Sequence, residues 1–299
     1  MQTRRQFLHR SASALVCSAM PCSAAGSGIS LGMSLYGMKS LPLEIALKTC
    51  AEIGYQNVEF ALNPGFPTEP KVFTADARKE TASQLQSLKL DLSSLLISLS
   101  LAADDKAHLL DLENLRAAAQ LAHDVVPHNP PLIETVLGGK PAEWEQIKDR
   151  MAERLQSWAE VATATKIIIA IKAHVSSAVN SPERLLWLHQ KVNQPSIKIA
   201  YDYSHFELAG ISMAESMKLL LPHTKFIHVK DSAGDSAKFQ FLLPGEGRTD
   251  YAAYFKLLKE HKYTGPVVVE VSAQIFNKPG YDPLAAAKKS YAALATAMK

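Results

Sequence analysis

Short apolar runs alternate along this chain with longer stretches in which apolar positions recur every three or four residues. The runs predict strands at Ile29–Tyr36, Asn57–Leu62, Leu90–Leu96, Leu132–Val136, Ile167–Lys172, Ile197–Asp202, Phe226–Lys230 and Val267–Val271. The longer stretches predict helices at Pro42–Ile53, Asp76–Leu88, Leu109–His123, Glu143–Thr163, Pro182–Val192, Ser212–Leu221, Tyr251–Glu260 and Pro283–Met298. Runs such as Ile167-Ile168-Ile169-Ala170-Ile171 and Val267-Val268-Val269 are apolar without alternation. That suits parallel strands covered on both faces, because an antiparallel sheet with one wet side would alternate. Eight strands interleaved with eight helices predict one α/β domain, a single (β/α)8 TIM barrel over residues 29–296. No Gly-x-Gly-x-x-Gly turn follows a strand, and no P-loop, Cys-x-x-Cys knuckle or Pro/Gly-rich linker interrupts the pattern. An open nucleotide-binding sheet and a second domain are therefore not expected.

The first residues break the pattern and change the arithmetic. Met1-Gln2-Thr3-Arg4-Arg5-Gln6-Phe7-Leu8 leads into a short apolar stretch, Ala12 to Met20, and then into small residues from Ser23 to Ser27. A basic head, a brief apolar middle and a small-residue exit predict a cleaved twin-arginine signal at residues 1–25. On that reading the twin-arginine translocase is a partner during export, and the folded chain is periplasmic or otherwise extracytoplasmic. The whole sequence carries 32 Lys plus Arg against 29 Asp plus Glu. Arg4, Arg5 and Arg10 leave with the leader, so 29 basic residues face 29 acidic ones and nothing basic remains to favour nucleic acid. Cys17 and Cys22 leave too, and Cys50, set in a helical pattern, reads as a small buried hydrophobe. With 47% hydrophobic and 20% charged residues, 14 Gly and 16 Pro, the chain is neither disordered nor collagen-like. It has no apolar run long enough to span a bilayer, so no stable membrane association is expected.

In a parallel barrel the carboxyl ends of the strands face the active site, so ionisable residues there carry weight. They are Glu59, Glu134, Lys172, Asp202 with His205, His228 with Lys230, and Glu270. Several carboxylates converging on one barrel mouth require a cation, a proton or a substrate to offset them. Asp202, His228 and Glu270 offer two oxygens and one imidazole nitrogen, a donor set suited to Zn or Mn. Gly138-Gly139 reads as a tight turn, and Trp144, Trp158 and Trp187 read as packing residues.

Three runs carry a likeness: Phe226-Ile227-His228-Val229-Lys230-Asp231, Pro244-Gly245-Glu246-Gly247-Arg248-Thr249-Asp250, and Tyr263-Thr264-Gly265-Pro266-Val267-Val268-Val269-Glu270-Val271. Together with Ile53-Gly54-Tyr55-Gln56-Asn57-Val58-Glu59 and the Asp-x-x-His of Asp202 to His205, they make the chain resemble the xylose isomerase-like barrels. These include sugar-phosphate isomerases and epimerases, hydroxypyruvate isomerases and endonuclease IV-type enzymes. The resemblance implies that Asp202, His228 and Glu270 occupy three of four positions for a divalent metal (Mn, Zn or Mg). It also implies that His205 and His174 lie beside the substrate, with Glu59, Lys230 and Glu246 near it.

The fourth position departs from the family. Where the family has a fifth-strand Glu two residues before a His, this chain reads Ile171-Lys172-Ala173-His174. A lysine there repels a divalent ion and competes for its carboxylates. Three arrangements follow: a metal on the three remaining ligands and water, Lys172 itself in the metal's place, or a site that only binds. The expected activity is that of an exported sugar or polyol isomerase or epimerase abstracting a proton next to a carbonyl, with Glu270, Lys172 and His205 catalytic. The alternatives are a metal-free lyase or dehydratase on an oxidised sugar, and a carbohydrate-binding barrel without catalysis. A phosphorylated substrate is not expected outside the cytoplasm.

Overall fold

The computed structural model describes residues 28–299, and the leader reading for residues 1–25 lies outside them. Strands and helices follow in order: β1 (Ile29–Ser34), α1 (Leu43–Ile53), β2 (Asn57–Ala61), α2 (Ala75–Leu88), β3 (Asp91–Leu96), α3 (Asp105–Val125), β4 (Leu132–Val136) and α4 (Trp144–Thr165). Next are β5 (Ile169–Lys172), α5 (Pro182–Val192), β6 (Ile197–Asp202), α6 (Tyr203–Leu208), α7 (Met213–Leu220) and β7 (Thr224–Val229). The chain ends with β8 (Asp231–Gly234), β9 (Phe239–Leu242), α8 (Tyr251–Glu260), β10 (Gly265–Val269), α9 (Ala273–Phe276) and α10 (Pro283–Ala297). The eight strands β1 to β7 and β10 close into a parallel barrel in the order β1-β10-β7-β6-β5-β4-β3-β2. The fold is a single (β/α)8 barrel. No described helix is long and apolar enough to cross a membrane.

Local chemistry sets the element ends. Thr74, Asp104, Ser181, Ser212, Asp250 and Asp282 each accept a first-turn N–H, capping α2, α3, α5, α7, α8 and α10. The Asp104 cap explains why α3 starts at Asp105, ahead of the first apolar-periodic residue, Leu109. Strand β1 stops at Ser34, short of the expected Tyr36, because the Ser34 hydroxyl accepts the Tyr36 N–H and turns the chain into a single 3-10 turn. Gly138 and Gly139, with φ near +73°, form the expected tight turn after β4. Cys50 is fully buried beside Met38, and burial pushes its thiol up to about 12. Trp158 is wholly buried, and Trp144 packs edge-on against Trp187.

The two-residue period of the strands divides the core into two parts. Ile169 and Ile171, Ile199 and Tyr201, Ile227 and Val229, and Val267 and Val269 pack outward in one large cluster with the helices. The residues between them, Ala170, Ala200, Phe226 and Val268, form a separate small cluster inside the barrel, with Leu132 packed against it. This is the floor. Each floor residue stands two positions before a polar residue at the strand's carboxyl end: Leu132 before Glu134, Ala170 before Lys172, Ala200 before Asp202, Phe226 before His228 and Val268 before Glu270. The stride that seals the floor therefore stacks five ionisable side chains directly above it.

The β8–β9 hairpin is absent from the strand pattern read from the sequence, because its two strands are short and lie outside the barrel. Asp231, at its base, accepts the N–H groups of Gly245 and Gly247, each at 2.8 Å, and so ties the following loop to the hairpin. Phe226 is the largest floor side chain, its ring edge-on to His228 at 4.8 Å. Phe226→Ala is expected to destabilise the barrel by about 3–5 kcal/mol, read from the urea unfolding midpoint, whereas Phe226→Leu costs much less. Equal losses for the two variants would show that the floor does not depend on ring volume.

Candidate active site

Above the floor lies a cavity of about 360 Å³ lined by Glu134, Lys172, His174, His205, Lys230 and Glu270, with Tyr36, Phe239 and Phe241 among its other walls. Pairing between neighbouring strands sets the cluster's spacing. Val136 on β4 and Ala200 on β6 flank Lys172, and Asp202 is the register partner of His228. Glu270 follows β10 directly, its N–H donating to the Val229 carbonyl at 3.1 Å.

Lys172 is the hub. Its Nζ donates to His228 Nδ1 at 2.8 Å and to Glu270 Oε2 at 3.2 Å, and pairs with the Glu134 carboxylate, whose Oε1 lies 3.1 Å away. Its side chain is only 3% exposed. Burial alone would lower its pKa, but Glu134, Glu270, Asp202 and Glu59 more than offset that and raise it above the ordinary lysine value. Lys230 is a second buried ammonium, donating to Asp202 Oδ2 and, at 2.6 Å, to Glu270 Oε2. The Phe241 ring covers it at 4.9 Å.

The carboxylates differ in proton affinity. Burial works against an ionised Glu270, yet Lys172 and Lys230 hold its carboxyl well below the usual carboxylate range. Asp202 is likewise held well below that range, burial being outweighed by Lys230 and His205. Glu134 moves the other way, because burial outweighs Lys172 and raises its pKa. Its Oε1 touches the Lys172 ammonium without an aligned hydrogen bond.

The histidines are fixed by their partners. His228 Nε2 meets Glu59 Oε1 at 2.8 Å, and Ser94 Oγ donates to Glu59 Oε2 at 2.7 Å. Burial disfavours a charged His228 ring, but the Glu59 carboxylate outweighs it and raises the pKa. The ammonium against Nδ1 nevertheless requires an acceptor there, so contact geometry fixes a neutral ring with its proton on Nε2 toward Glu59. The Val175 N–H donates to His205 Nδ1 at 3.3 Å, leaving Nε2–H to face Asp202 Oδ2 at 3.4 Å. The Ser176 N–H donates to His174 Nδ1 at 3.1 Å, leaving Nε2–H as the donor this ring offers. Burial and the neighbouring His205 lower His174 to about 2, and burial lowers His205 as well, so both rings are neutral. They lie with ring centroids 4.3 Å apart.

The structure thus brings Lys172, His174, His205, Lys230 and Glu270 to one cavity. Glu59 is fully buried beneath it, and its link to the cavity runs through His228. Glu246 does not reach the cavity: its carboxylate accepts the Leu243 N–H and pairs with Lys289 on α10. Tyr36, Ser98, Ser176, Phe239, Phe241 and Gln274 line the cavity without having been singled out in the sequence. For Phe239 and Phe241 a signal existed, the alternation Phe239-Gln240-Phe241 beyond a turn of small and polar residues.

A divalent ion finds the right donors and the wrong neighbours. One ligand atom each from Asp202, His228 and Glu270 lies within 4.8 Å of the others, and the same holds for Glu59, Glu134 and His228. Two ammoniums already hold Asp202 Oδ2, His228 Nδ1 and Glu270 Oε2. At an effective dielectric of about 20, a divalent charge roughly 3 Å from one ammonium is repelled by on the order of 10 kcal/mol. Asp202, His228 and Glu270, so engaged, do not fit a divalent metal, and Glu134 of the second set stands 3.1 Å from the Lys172 ammonium.

With this geometry in place, comparison with known proteins gives the wider setting. A family description, "Xylose isomerase-like TIM barrel", matches residues 47–297. The L-ribulose-5-phosphate 3-epimerase UlaE of Salmonella heidelberg (strain SL476) is 22% identical over 246 residues, spanning 78% of this chain and 83% of that one. In the Salmonella typhi enzyme of the same name the matched region is 23% identical and spans 61% of that chain. Among solved structures, the IolI protein with a bound zinc atom superposes with a TM-score of 0.77 at 19% identity, covering 90% of this chain and 98% of that one. The probable 3-DHS dehydratase AsbF of Bacillus anthracis superposes with a TM-score of 0.72 at 17% identity, covering 89% and 98%. Those superpositions establish the shared fold, and the family match over most of the chain establishes membership: this protein belongs to the xylose isomerase-like TIM barrel family.

Proposed function

We propose that this chain is an exported sugar or polyol enzyme of the isomerase/epimerase type, abstracting a proton next to a carbonyl without a divalent metal. The observation that carries this reading is the Lys172 ammonium lodged between Glu134, Glu270 and His228. Glu270 is the base, because its carboxylate faces the cavity and stays ionised between two lysines. It takes the α-proton of the sugar; the C–H electron pair becomes the carbon–carbon double bond of an enediolate, and the carbonyl π pair moves onto oxygen. Lys172 and Lys230 hold that oxyanion, and the neutral His174 donates its Nε2–H to a substrate oxygen. Negative charge leaves Glu270 as it appears on the substrate oxygen, beside the same ammoniums throughout. Delivering the proton to the former carbonyl carbon, while the α-hydroxyl proton passes to the former carbonyl oxygen and the α-carbon becomes the new carbonyl, completes an isomerisation. Delivering a proton to the opposite face of the original α-carbon, with the carbonyl re-formed, completes an epimerisation.

Similarity to an epimerase supports this reading, as does a cavity walled by polar and aromatic side chains. Elimination from an oxidised sugar is the second reading. It needs only one base, and Glu270 is the more accessible carboxylate, 12% exposed against 1% for Glu134. Export and a periplasmic location belong to the same proposal and rest on the pattern of residues 1–25.

The deciding experiment follows solvent deuterium into ketoses, aldoses and 3-keto sugars with the chelator-treated protein. Exchange at the carbon next to the carbonyl is expected, and Glu270→Gln is expected to slow it by about 10²–10⁴-fold. Sugar binding with no exchange in any substrate would make the barrel a carbohydrate-binding protein instead. Elemental analysis after folding with metals supplied is expected to find less than about a tenth of an equivalent of Zn or Mn, with Lys172→Glu raising it towards one. A stoichiometric metal in the wild type would overturn the ammonium reading. The pH profile gives an independent check. Activity needs ionised Glu270, so it falls as pH drops through that group's pKa, and in the wild type this limb lies below the ordinary 4.5. Lys172→Met removes one stabilising cation, so the acid limb of kcat/KM is expected to move to higher pH and kcat to fall by about 10²–10³-fold. An unmoved limb would show that Glu270 is not the titrating base.

A further inference from the structure

The charge around the cavity also selects the substrate, an inference that rests on the proton-transfer reading above. The charged residues lining the cavity are Glu134, Lys172, Lys230 and Glu270, and each is already paired with another. Buried Glu59 and Asp202 add two more carboxylates to the same cluster, so four carboxylates surround two ammoniums. With a proton on Glu134 the carboxylates still exceed the ammoniums. Among the described residues, no arginine and no third lysine lines the cavity. A phosphate ester or a sugar carboxylate would lose its water opposite this acidic excess, with no uncommitted cation to receive it.

What remains of the lining is neutral. Ser98, Ser176, Ser272 and Gln274 offer hydroxyl and amide groups that can donate and accept, the pattern that sugar hydroxyls match. Phe239 and Phe241, with ring centroids 5.2 Å apart, add an apolar wall for the C–H face of a sugar. We propose that the site takes an uncharged sugar with free hydroxyls and discriminates against its phosphate ester and against the corresponding uronic acid. The similar UlaE enzyme is named for a 5-phosphate, so this places the present chain on a different substrate class within the family.

The test uses matched pairs, L-ribulose with L-ribulose 5-phosphate and D-glucose with D-glucuronate. Binding is read by calorimetry and, for the ketose pair, turnover by deuterium exchange. The neutral member of each pair is expected to bind at least about tenfold more tightly. Ser98→Arg, which places a cation on an exposed lining position, is expected to shift the ratio of 5-phosphate to L-ribulose affinity by about tenfold towards the 5-phosphate. Preference of the wild type for a charged member, with exchange intact, would overturn the substrate class and leave the proton-transfer reading standing. Neutral sugars bound preferentially but never exchanged would do the reverse. Failure of all four to bind would overturn both.

Discussion

A buried charge must be answered by another, and in this barrel the answer is Lys172. The two-residue stride of parallel strands places Glu134, Asp202 and Glu270 over an apolar floor, with Glu59 beneath His228. Left alone, such a set would repel itself, take up protons or capture a cation from solution. The ammonium on β5, with Lys230 beside it, supplies the cation from within the chain. Two further features of the site follow: the ionised state of Glu270 and the net acidic surroundings that remain once both lysines are counted.

Division of labour between floor and rim explains how a family fold can carry this arrangement. Floor residues and the outward-facing strand residues are apolar and determine whether the barrel closes. Strand-end residues point towards the cavity instead, and Lys172 takes its place there within the register of β5 with β4 and β6. Rim loops and the β8–β9 hairpin add the aromatic and hydroxyl walls, and the Phe241 N–H, donating to Gln274 at 2.9 Å, joins the hairpin to the segment after β10.

Much of this was legible in the sequence, for identifiable reasons. Continuous apolar runs such as Ile167 to Ile171 suit covered parallel strands, and their alternation with helical patterns left the barrel as the economical solution. The odd member of the site, Lys172, stood out because its neighbours Ile171 and His174 kept the expected spacing around it. Pairing choices were not legible. That Lys230 would join Asp202 and Glu270, that Glu59 would sit beneath His228, and that Glu246 would turn outward to Lys289 depend on side-chain directions that spacing does not encode. The hairpin escaped notice because four-residue strands outside the barrel bury too little to leave a pattern.

A lysine among buried carboxylates ties the site to its surroundings in a different way from an ion. An ion is acquired, can be exchanged for a competitor and is lost when its concentration falls. An ammonium on a four-carbon stem rooted in β5 arrives with the polypeptide, at one copy per molecule, and has no dissociation equilibrium. The positive charge at the centre of this barrel is therefore independent of the metal content of the compartment in which the protein works, and its strength is adjusted only by the carboxylates that fold around it.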